Sequence, residues 1–65
     1  MFITLTRQEN DETVLVNINH IYEVIQMPGL NGCELVFPHD KVVVKENFAK
    51  VSQILMAKNL NSTHF

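Results

Sequence analysis

The constraint that decides most about this chain is a change of period at Glu46. Before it, apolar residues recur at alternate positions in short runs. After it, they recur every three or four. Alternation marks half-buried strands, and the three-to-four spacing marks one face of a helix. The sequence therefore predicts an α+β domain: a small, bent antiparallel sheet or partial barrel of about five strands, followed by one C-terminal helix.

The first run, FITLTR, sets Ile3 and Leu5 against Phe2, Thr4 and Thr6. The polar segment QENDE then suits a hairpin loop, and TVLVN resumes the pattern with Val14 and Val16 opposite Leu15. Residues 14–27 are too long for one strand and too β-branched for a comfortable helix. Asparagine hydrogen-bonds nearby backbone, so Asn17-Ile18-Asn19 predicts a bend or a single helical turn. A strand over Ile21–Met27 follows, with Ile21, Glu23, Ile25 and Met27 on one side and Tyr22, Val24 and Gln26 on the other. PGLNG, residues 28–32, is the strongest turn signal: Pro28 presets its φ, and Gly29 and Gly32 accept positive φ. Cys33, Leu35 and Phe37 then face one way, PHDK turns the chain, and KVVVK reads as a short, buried fifth strand.

In the helix, Phe48, Val51 and Leu55 form the apolar stripe, with Ile54 and Lys58 beside them. Glu46 or Asn47 suits its start, Lys58 suits its last turn, and Asn59 is the expected stop. Residues 1–58 are thus read as one small β-sheet-plus-helix domain and residues 59–65 as a polar tail, pinned by Phe65 or by a neighbouring chain.

A chain of 65 residues hides only about 60% of its extended surface on folding and usually needs further support. Cys33 is the only cysteine, so no disulfide can form within the chain. With 46% hydrophobic residues, self-association is the expected remedy, as a dimer or a higher symmetric assembly. The opening MFITLTR lacks the pattern of a signal peptide, and no apolar run approaches the roughly 20 residues that span a bilayer. A cytoplasmic protein with no membrane insertion is the expectation.

Three segments, Ile3-Thr4-Leu5-Thr6-Arg7, Asn17 through Ile21, and Val44-Lys45-Glu46-Asn47, together resemble the small flagellar protein family FlbD, also called SwrD in swarming bacteria. The likeness covers roughly residues 2–57. It implies a non-enzymatic accessory protein associated with motility, or a mobile-element relative with another role. Members commonly carry glycine in the first hairpin and before the last strand, where this chain has QENDE and PHDK. A weaker likeness runs to the carbon storage regulator CsrA, an RNA-binding β-dimer. It implies Arg7 and Lys45 as RNA contacts.

The residue chemistry points to binding rather than catalysis, with no cofactor. His20, Cys33, His39 and Asp40 are metal-ligand types, but their spacing matches no familiar zinc pattern. Cys33 beside a histidine lacks any orienting motif, and Glu9, Asp11 and Glu12 read as solvated loop carboxylates. A net charge of −2 argues against nonspecific nucleic-acid binding. A local patch of Arg7, Lys41, Lys45 and Lys50 with Tyr22 leaves that class open. Asn17, Asn19 and His20 could also bind a small anionic metabolite or nucleotide where two copies meet. The candidate binding residues are therefore Arg7, Asn17, Asn19, His20, Tyr22 and Lys45. The leading expectation is a protein-interaction or assembly module that pairs with another copy or an unknown protein partner.

Overall fold

The computed structural model describes residues 1–29 and 31–62, with side chains described through Ala57. Five strands and one helix follow in order: β1 Phe2–Thr6, β2 Thr13–Asn17, a 3-10 turn Ile18–His20, β3 Glu23–Gln26, β4 Cys33–Val36, β5 Lys41–Val44 and α1 Phe48–Ser62. All strand pairs are antiparallel, in a two-stranded sheet β1-β2 and a three-stranded sheet β3-β4-β5. The two sheets meet at one bridge, Arg7 to Val44. There Gln8 N–H donates to the Val43 carbonyl and Lys45 N–H to the Thr6 carbonyl, both at 2.8 Å. The result is a bent ribbon in the order β2-β1-β5-β4-β3. Among the described residues β2 and β3 are not paired to one another, so the ribbon is not closed into a barrel.

Alternation selects the inner face. Leu5, Val16, Cys33, Leu35 and Val44 are buried, and Val51 of α1 closes the core from the helix side. Ile3, Val14, Phe37, Phe48 and Leu55 pack around them, as their spacing predicts. In β5 only Val44 is buried; Lys41 is exposed and Val42 and Val43 are half-buried. Asn47 caps α1: its Oδ1 accepts the Lys50 N–H at 2.7 Å, satisfying an amide that has no partner within the helix.

Two expectations about element bounds need correction. The strand expected over Ile21–Met27 is shorter, because the 3-10 turn claims Ile21, whose N–H donates to the Ile18 carbonyl. Of its two sides, the one that carries Val24 faces the core. Val24 pairs with buried Leu35 and packs inward, whereas Ile25 pairs with Glu34 and faces out. Paired residues share a face, so register rather than side-chain size decides. Next, Gly29 takes a φ of +81°, but Gly32 does not lie in the left-handed region. Gly32 is needed for space, since a Cβ there would run into the Val44 carbonyl.

The second correction concerns the helix end. The helix continues through Asn59 to Ser62, so Lys58 is not in its last turn and the boundary drawn at residue 58 falls inside α1. Asparagine is only a moderately poor helix former, and no glycine or proline follows to stop the chain. The expected anchoring by Phe65 lies outside the described residues. No helix among the described residues is long and apolar enough to cross a membrane.

Candidate interaction surface

Two devices at the ends of β2 hold that strand in place. At its start, Asp11 adopts a left-handed φ of 61°, which aspartate tolerates, and Asn10 Oδ1 accepts the Glu12 N–H at 3.0 Å. This closes QENDE without the glycine that a tight hairpin would use. At its end, Asn17 Oδ1 accepts the Asn19 N–H at 3.0 Å and starts the 3-10 turn. The two asparagines and the histidine of NINH are thus in the first place a chain-bending element. Asn17→Ala is expected to cost about 1 kcal/mol, the usual value of such a cap. A urea titration checks this. Unchanged stability would mean that the Asn17 side chain does not hold the turn.

Three of the candidate residues come together. Arg7, Asn17 and His20 line an open groove of about 260 Å³ that runs along β2, with Val14, Val16, Phe37 and Val42 as apolar walls. Asp40 stands at the same groove and its Oδ1 also accepts the Lys41 N–H at 2.7 Å. The groove is the unsealed seam between β2 and the β4-β5 hairpin: Val14, Val16, Phe37 and Val42 reach it from the inner face of the ribbon, and Leu15 and Asn17 from the outer. Sequence reasoning missed Phe37 and Val42 as groove residues. Alternation marks both as inward-facing, but only the topology leaves them uncovered.

The other three candidates sit elsewhere. Lys45 borders a separate depression with Gln8, Gly29 and Asn31. Asn19 is exposed, and Tyr22 is 73% exposed while its N–H donates to the Val36 carbonyl at 2.8 Å. The basic side chains at the ribbon's bend are paired. Lys45 Nζ contacts Asp11 Oδ1. Arg7 Nε lies 3.3 Å from Glu12 Oε1. That contact is one of charge without hydrogen-bond alignment, and the buried Nε has no hydrogen-bond partner among the described residues.

No group of three or more His, Cys, Asp and Glu residues is placed to hold a metal ion among the described residues. Cys33 lies in the core, its Sγ 3.5 Å from the Glu46 carbonyl oxygen. Burial first, and then the Glu46 carboxylate, push its thiol up from the ordinary value. A buried thiol held protonated is a poor nucleophile.

The outer surface carries large apolar side chains. Phe2 is 57% exposed and Leu15 66% exposed. Because Phe2 pairs with Asn17 and Thr4 with Leu15, they are diagonal neighbours on the outer face of β1-β2. No protein-family model, no curated protein and no solved structure matches this chain.

Proposed function

We propose that this protein is a non-enzymatic interaction and assembly module that works by recruiting a second copy of itself. The observation that carries the reading is the exposure of Phe2 and Leu15 beside an open sheet edge. A chain with only seven hydrophobic residues buried among those described gains from covering such a surface. The pairing of Arg7 with Glu12 and of Lys45 with Asp11 favours this reading over RNA binding, since both cations already have a counter-charge. A flagellar accessory role in the cytoplasm, as the FlbD resemblance implies, is the biological side of the same proposal. Flagellar genes flanking the coding sequence would support it.

Sedimentation of the pure protein tests the assembly reading. The expected outcome is a weight-average mass that rises above 7.5 kDa with concentration. A single species of that mass up to the millimolar range would overturn it. Retention of RNA that falls steeply with added salt would point to the nucleic-acid reading instead.

A further inference from the structure

We propose that β2 is the docking edge, and that two copies join by antiparallel β2–β2′ pairing about a two-fold axis at Leu15. This rests on the assembly reading above and specifies its geometry.

Hydrogen-bond parity supplies the first argument. At one end of the β1-β2 ladder Arg7 N–H donates to the Glu12 carbonyl at 2.8 Å, and at the other Ile18 N–H donates to the Met1 carbonyl at 3.0 Å. Those pairs continue the register of the strands between them. In an antiparallel ladder, bonded and non-bonded pairs alternate. Residues 12, 14, 16 and 18 therefore turn their main-chain groups toward β1. Thr13 and Leu15 turn N–H and C=O toward the outer edge, and Asn17 turns its N–H the same way. No main-chain hydrogen bond satisfies these groups among the described residues.

The second argument is the lack of protection. Natural edge strands are blunted by lysine, proline, a bulge or a covering element. Thr13-Val14-Leu15-Val16-Asn17 contains neither charge nor proline, and its register with β1 is unbroken. Of the other edges, β3 carries Glu23 and lies against α1, and β1 is joined to β5 at the Arg7–Val44 bridge.

The third argument is self-complementarity, which selects a second copy over a foreign strand. A two-fold axis at Leu15 sets Leu15 against Leu15′, Thr13 against Asn17′ and Val14 against Val16′. The two Leu15 residues then exchange both main-chain bonds, each Asn17 N–H faces a Thr13′ carbonyl, and no charge opposes a like charge within the pair; the Thr13 N–H stays at the open end of the ladder, because the Asn17 carbonyl starts the 3-10 turn. The acidic hairpin of one copy meets the Ile18–His20 turn of the other, whose only ionisable side chain is His20. This is an isologous contact, the kind that closes a dimer. A strand pair of this length falls below about 1,200 Å² of total buried surface, the range of weak, reversible association.

The test is sedimentation of wild type, Leu15→Lys and Gln26→Lys up to millimolar concentration, with matched thermal melts. Leu15 and Gln26 are both exposed, so neither change touches the core. Leu15→Lys is expected to weaken dimerisation about tenfold or more, through lost apolar contact and like charges meeting at the axis. Gln26→Lys, on the other edge, should dimerise as wild type does. Leu15→Cys provides a second readout. Bonded antiparallel pairs set Cα atoms about 5.5 Å apart, within disulfide range, so it should oxidise to a covalent dimer faster than Thr4→Cys. If wild type associates and Leu15→Lys associates equally, this inference fails and the assembly reading survives. A monomeric wild type removes both.

Discussion

Gly32→Ala should remove most of the stability of this domain. A Cβ at Gly32 would overlap the Val44 carbonyl oxygen and lie 2.9 Å from its carbonyl carbon and 3.3 Å from the Lys45 Cα. All three obstacles are backbone. Val44 is fully buried, pairs with Cys33 and forms the bridge to Arg7 that joins the two sheets. Overpacking against movable side chains costs about 1–3 kcal/mol, and a rigid obstacle raises that figure. Total stability for a chain of this length is only about 3–10 kcal/mol. Gly29→Ala is the internal comparison. Nothing lies within 4 Å of the added Cβ, and the left-handed φ alone costs about 1–2 kcal/mol. Urea titrations of both variants check the difference. Equal losses would mean that residue 32 does not press against β5.

Glu46→Ala is expected to cost about 2–3 kcal/mol near neutral pH, the range for a hydrogen-bonded charge whose partners are left unsatisfied. Glu46 ties the start of α1 to a strand 40 residues earlier. Its Oε1 accepts the Thr6 N–H at 2.9 Å, and its Oε2 accepts the Thr6 hydroxyl at 3.0 Å. Burial alone would raise the Glu46 pKa. The hydrogen bonds from the Thr6 amide, from its own amide and from the Thr6 hydroxyl, with the Lys50 charge, outweigh that and hold it below the ordinary value. A lowered folded pKa means that the unfolded chain takes up the proton first. The stabilisation is therefore complete above the ordinary glutamate pKa and drains away as pH falls through the lower folded value. Glu46→Gln keeps an acceptor for the Thr6 N–H and removes the titration. It should lose less stability than Glu46→Ala and flatten the acid limb of the melting profile. An acid limb identical to wild type would show that Glu46 does not carry this linkage.

These two residues also mark where sequence reading reaches and where it stops. The alternation of Cys33, Leu35 and Phe37, the stripe Phe48-Val51-Leu55 and the caps at Asn17 and Asn47 are local signals, and the fold follows them. Glu46 was legible only as a residue suited to a helix start. Its bond to Thr6 depends on which strands become neighbours. Gly32 reads as a turn residue because the approach of Val44 is equally non-local. Ile25 outranks Val24 as an apolar residue, yet the register with β4 turns it outward. The helix outruns Asn59 because a weak stop signal, without glycine or proline, does not end it.

The candidate surface divides in the same way. NINH announces a bend from its own side-chain chemistry. That Arg7 and His20 share a groove with Phe37 follows only from the joining of the two sheets at the Arg7–Val44 bridge. The free edge of β2 has no sequence signature beyond the absence of charge and proline in TVLVN. Its parity emerges only once the ladder to β1 is known.

The central claim is that a second copy supplies part of this chain's stability, and thermal unfolding across a hundredfold dilution tests it most directly. Association linked to folding makes the midpoint rise with concentration. For a dimer of domains this small, the rise is about 3–6 °C per tenfold at concentrations above the dissociation constant, so the dilution series starts in the millimolar range. The account predicts that slope for wild type and a smaller one for Leu15→Lys. A single cooperative transition with the same midpoint at every dilution would contradict it.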